Sequence, residues 1–89
     1  MRVHAVDQLE IAWSCDLLQR QGLEVTPVPA AGWRVCWGQR VAIISGRALA
    51  FLATVFATSS LECAEALFRA RGLAWEAHEL APLLEERAA

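Results

Sequence analysis

Residues Gly32–Gly46, GWRVCWGQRVAIISG, decide the fold. Two short runs rich in aromatic and β-branched residues, Trp33–Trp37 and Arg40–Ser45, flank the pair Gly38-Gln39. Glycine at the first position of a two-residue loop points to a type II′ hairpin, because that turn needs positive φ there. The turn sets a register: Trp37 opposite Arg40, Val35 opposite Ala42, Trp33 opposite Ile44. Opposed residues share a face. One face therefore carries Trp33, Val35, Trp37, Ala42 and Ile44, with Arg40 beside Trp37. The other carries Arg34, Cys36, Val41 and Ile43. The first is a core face. The second is also mostly apolar, so helices or another subunit are expected to cover it.

On the N-terminal side, Leu23–Val28 alternates weakly and reads as a strand. Pro27 and Pro29 lack an N–H, which assigns this strand to a sheet edge. Ala30-Ala31-Gly32 is a turn. Before it, Asp7 can cap a first helix with Glu10 in the capping-box position. Val6, Leu9, Trp13 and Leu17 form one apolar stripe on that helix, and Ile11, Cys15 and Leu18 a second. Two stripes predict neighbours on two sides. Gly22 suits the position just past the helix end.

On the C-terminal side, Ser45 or Gly46 opens a second helix running to about Thr58. Ser59 and Glu62 form a capping box for a third, ending before Gly72. Leu73–Ala77 reads as a last short strand, and Pro82 opens a closing helix over APLLEERAA. The stretches LLQRQGLEV (17–25) and LFRARGLAW (67–75) share one punctuation, a helix end passing through Gly-Leu. The fold class is therefore α+β: a small antiparallel sheet built on the 33–45 hairpin, packed by two or three helices. Residues 1–89 are expected to form a single compact domain.

The hydrophobic fraction is 56% and the charged fraction 20%. Soluble domains average about 45–50% and about 25%. A chain this short has much surface for its volume, so the excess predicts a homo-oligomer, with a homodimer as the simplest form, or an obligate partner. Net charge is −2, which makes nucleic acid an unexpected partner. All eight basic residues are Arg, and Lys, Asn and Tyr are absent while Ala is abundant. Codons for the absent residues are AT-rich, so a GC-rich bacterial or phage genome accounts for the bias. The apolar run after Arg47, Ala48–Ala57 with its single Thr54, is too short to cross a bilayer, so no membrane association is expected. MRVHAVDQLE lacks the apolar core of a signal peptide, and the expected location is cytoplasmic.

No constellation carries chemistry. The three cysteines, Cys15, Cys36 and Cys63, are far apart in sequence and form no C-x-x-C. Cys15 and Cys63 are expected to be buried, reduced thiols on apolar helix faces. There is no nucleophile elbow and no phosphate-binding loop. The expectation is a protein that is not an enzyme, with no metal and no cofactor. The best candidate site is the hairpin tip: Arg34, Trp37, Gln39 and Arg40, binding a protein partner with an acidic surface. Arginine offers a permanent planar fork of donors, and tryptophan a large apolar contact at low entropic cost. Small size, acidic balance and absent chemistry fit a protein–protein interaction protein, such as a bacterial or phage accessory factor that inhibits a host or defence system in the manner of an anti-CRISPR-like protein. The alternative is a small helix-turn-helix-type transcriptional regulator using helices 48–71. Ala53, Ala57 and Cys63 suit that motif, but Glu62 and Glu65 stand where base-contacting residues normally point.

Overall fold

In the computed structural model, which describes residues 7–73, 80, 82 and 83, Gly38 takes φ +65° and Gln39 keeps a negative φ. That is the type II′ pattern. The turn joins β2 (Gly32–Trp37) to β3 (Arg40–Ile44) in the expected register. β1 (Glu24–Val28) pairs antiparallel on the other side of β2, with Val25 opposite Val35 and Pro27 opposite Trp33. The sheet order is β1-β2-β3.

The two-residue turn also fixes which backbone groups point where. It makes Trp37–Arg40 a hydrogen-bonded pair, and hydrogen-bonded and non-hydrogen-bonded pairs then alternate along the ladder. Arg40, Ala42 and Ile44 aim their N–H and C=O groups at β2. Val41 and Ile43 aim theirs away from it. By the same parity, Pro27 sits where its N–H would have faced outward, so the ladder loses nothing. The open side of β1 loses a donor, a common way of blunting an edge. β3 contains no proline.

The turn before β2 is tight. The Ala31 N–H donates to the Val28 carbonyl at 3.0 Å, and Ala30 takes φ +67° after Pro29. Gly32 then adopts φ +122°, and a Cβ there would run into the carbonyl oxygen of Ile44. Glycine lets the chain cross that close to β3.

Helices α1 (Gln8–Arg20) and α2 (Gly46–Thr58) cover one face of the sheet, and α3 (Leu61–Ala70) packs on α2. α2 is central. It packs against α1, α3 and the inner faces of β2 and β3. The run Ala48–Ala53 is buried on every side. Alanines at 48, 50 and 53 let neighbours approach closely, while Leu49, Phe51 and Leu52 fill the space between. Phe51 meets Phe68 of α3 edge-to-face, with centroids 5.2 Å apart. Burying each such side chain contributes about 1.5–3 kcal/mol. Leu80 and Leu83 belong to the same core.

α1 and α3 end identically. Leu23 N–H donates to the Leu18 carbonyl and Gly22 N–H to Gln19, just as Leu73 donates to Phe68 and Gly72 to Arg69. Both glycines have positive φ. This is the Schellman arrangement, with a buried apolar pair, Leu18/Leu23 or Phe68/Leu73, across each end.

Four expectations change. Ser59 does not cap α3; it is the left-handed residue closing α2, at φ +59°, and Ser60 is the cap, its Oγ accepting from Cys63 N at 3.1 Å. The chain must reverse between the helices, and that needs one left-handed residue before the new cap. On α1, Asp7 accepts from Glu10 N at 2.8 Å as expected, but the Glu10 carboxylate turns to Arg71 instead of completing a box. The Leu9/Trp13 stripe is not a contact face: Leu9 is 82% exposed and Trp13 45%. Ile11, Cys15 and Leu18, with Ser14 between them, take the α2-facing side. Finally, no described helix covers the second sheet face. Residues 74–77 of the expected strand at 73–77 and most of the expected closing helix at 81–89 lie outside the described residues.

Candidate protein-binding surface

The hairpin divides its tip residues between two surfaces. Trp37 points to the helix side, where its ring meets Phe56 of α2 edge-on at 5.3 Å. Arg40 lies on that side too, opposite Trp37 and partly buried. Gln39 is exposed in the turn. Arg34 is exposed on the opposite face. The structure therefore brings Trp37 and Arg40 together but separates them from Arg34. Trp33 is partly buried against the core, its ring close to Gly46 at the start of α2.

Arg34 has other company. The register puts Glu24, Thr26, Cys36, Val41 and Ile43 on its face. Val41 is 46% exposed and Ile43 56%, although both stand in a regular strand. The sequence placed these two on a mostly apolar face for helices or another subunit to cover, and no described helix covers it. The alternation that identified the face carries no information about whether anything packs on it.

Charge adds a second feature. Between Glu24 and Glu62 the chain has no acidic residue, while Arg34, Arg40 and Arg47 fall within that span. β2, β3 and the start of α2 thus form a basic region in a chain of net charge −2. Arg34 is on the open face, Arg40 begins β3, and Arg47 lies just past its end. Such a field favours an acidic partner and speeds its encounter.

Two further arginines pair with carboxylates. Arg71 grips Glu10 through two hydrogen bonds, 2.7 and 2.9 Å, tying the end of α3 to the start of α1. Its guanidinium also lies over the Phe68 ring, 5.6 Å from the centroid. The Glu10 hydrogen bond holds the Arg71 guanidinium even more firmly protonated than usual. Arg20 pairs with Asp16 one turn earlier at 3.0 Å on the exposed side of α1.

The thiols correct the sequence reading. Cys63 is exposed, while Cys15 and Cys36 are partly buried; all three are free. Burial pushes the Cys15 thiol up from its ordinary pKa. Among the described residues, no group of three His, Cys, Asp or Glu side chains could hold a metal ion. A shallow cleft lined by Asp7, Gln8, Ile11, Trp33 and Gly46 offers one charged group, Asp7, whose carboxylate already caps α1. Among the described residues, no helix is long and apolar enough to cross a membrane. α2 and α3 do form helix, tight turn, helix. The exposed start of α3 is Leu61, Glu62 and Cys63, an apolar and acidic surface.

No family model, no curated protein and no solved structure matches the chain.

Proposed function

We propose that this chain is a non-enzymatic protein-binding module whose working surface is the open sheet face together with the hairpin tip. One observation carries the reading: Val41 and Ile43, 46% and 56% exposed, stand side by side with Arg34 on a regular sheet. Folding gains little from apolar side chains left in water, so their use lies in contact with something else. The acid-free span from Val25 to Leu61 supports a partner with an acidic surface. Gln39 at the exposed turn extends the surface, and Arg40 supplies charge at its edge. Small size and a sheet-borne surface fit an accessory factor that inhibits by occupying a partner's surface. Free thiols suit a reducing cytoplasm. A second copy of the chain has its own surface in this reading: the exposed Leu9 and Trp13 of α1.

A photo-crosslinking residue at position 43, compared with one at Gln19 on the far side of the molecule, tests the reading in lysate of the source cell. The expected result is one protein product from position 43 only, insensitive to nuclease and lost on Arg34→Glu. Equal products from both positions, or a product that nuclease removes, would overturn it.

A further inference from the structure

We propose that the open edge of β3 takes an extended, acidic-ended segment of the partner as a fourth strand. This rests on the protein-binding reading above and specifies its mode. The two edges of the sheet are unequal. β1 carries Pro27 at an outward-facing position, and Pro29 follows the strand directly. Among the described residues β3 ends the sheet on the other side, with the N–H and C=O groups of Val41 and Ile43 directed outward. An undefended edge is a template for strand addition, with main-chain hydrogen bonds giving affinity and alternate side chains giving specificity.

The side chains say what kind of strand fits. Val41 and Ile43, the residues whose backbone faces outward, also present apolar side chains on the open face, so the incoming strand places apolar residues beside them. Positive charge sits at both ends of β3, on Arg40 at its first residue and on Arg47 in the first turn of α2, both of which also make contacts within the chain, so acidic residues belong at the ends of the segment. Arg34 lies two inter-strand spacings from an added strand, roughly 10 Å, a gap that an arginine and a glutamate span together. Single-stranded nucleic acid fits less well: its bases need aromatic platforms, and Trp37 is turned inward against Phe56.

The test is a titration of the full ¹⁵N-labelled chain with a blocked seven-residue peptide that alternates valine and threonine and carries glutamate at each end. The expected result is movement of the Val41 and Ile43 amide signals, with both amides becoming slow to exchange. A peptide with lysine ends binds at least tenfold more weakly, as does the glutamate peptide to Arg40→Glu. N-methylation of the valines, which removes donors and leaves side chains, abolishes binding. No binding, or signal changes confined to the helices, overturns the proposal. So do equal binding of the N-methylated peptide, displacement by a single-stranded oligonucleotide at the same amides, and protection of Val41 and Ile43 before peptide is added, whether by the chain itself or by a second copy. A surviving crosslink from position 43 beside a failed titration leaves the surface reading intact and removes strand addition alone.

Discussion

One sheet presents two apolar faces with opposite fates. On the inner face, Val35 and Ile44 are 0% and 1% exposed, sealed by α2. On the outer face, Val41 and Ile43 are about half in water. The residue types hardly differ, and neighbours in one strand, Ile43 and Ile44, fall on opposite sides. The difference teaches that the inner face suffices to hold the hairpin, because a three-stranded sheet needs one covered face for stability. The outer apolar pair is surplus to folding.

Truncating Ile43 and Ile44 in turn separates the two faces. Ile44→Ala removes a fully buried side chain and should cost about 3–4 kcal/mol, enough to unfold much of so small a protein. Ile43→Ala should stay within about 0.5 kcal/mol. Urea melts of both variants read the contrast, and equal losses would mean that the outer face is also core.

A somewhat smaller effect concerns the tip. With its ring against Phe56, Trp37→Ala should cost about 2–3 kcal/mol, approaching the roughly 3 kcal/mol of Trp33→Ala. A thermal melt of Trp37→Ala within 2 °C of the parent would restore Trp37 to the binding surface and blur the division between faces.

Arg71→Ala should cost about 1 kcal/mol, since the bidentate geometry is good but the guanidinium is nearly half exposed and screened by solvent. It acts on the helix layer alone, so the amides of β3 should not shift. Coupled shifts there would join two regions that are separate in this account.

The smallest effect is kinetic. A thiol reagent should modify Cys63 first, because it is exposed. Cys15 should lag at neutral pH, because burial raises its pKa and leaves less thiolate; the lag should narrow as pH rises toward that pKa. Mass spectrometry of partly labelled protein gives the order, and Cys15 ahead of Cys63 would contradict the packing of α1.

Much of the architecture was legible. Gly38-Gln39 gave the turn, the turn gave the register, and Pro27 gave the edge. Asp7 and Ser45 marked two helix starts, and the Gly-Leu pairs marked two helix ends. The third cap was misread because Ser59 and Ser60 are chemically alike, and only the reversal of the chain separates them. Leu9 and Trp13 were misread because periodicity finds apolar stripes without saying how many neighbours exist. Of the candidate surface, the sequence gives the sidedness of the strands and not the burial of each residue. Arg34 and Gln39 are exposed as a surface requires, whereas Trp37 shares the inner face. Val41 and Ile43 were assigned to the correct face, but composition cannot say whether a face is covered. Alternation reports sidedness, and burial depends on what packs there.

Residue-by-residue amide exchange along β3 reads whether this strand is bonded on one side and open on the other. Ala42 and Ile44 should exchange only through global unfolding while Val41 and Ile43 exchange orders of magnitude faster, a two-residue alternation along the strand. Uniform protection from Arg40 to Ile44 would contradict it, since the edge would then already be paired and unavailable to any partner.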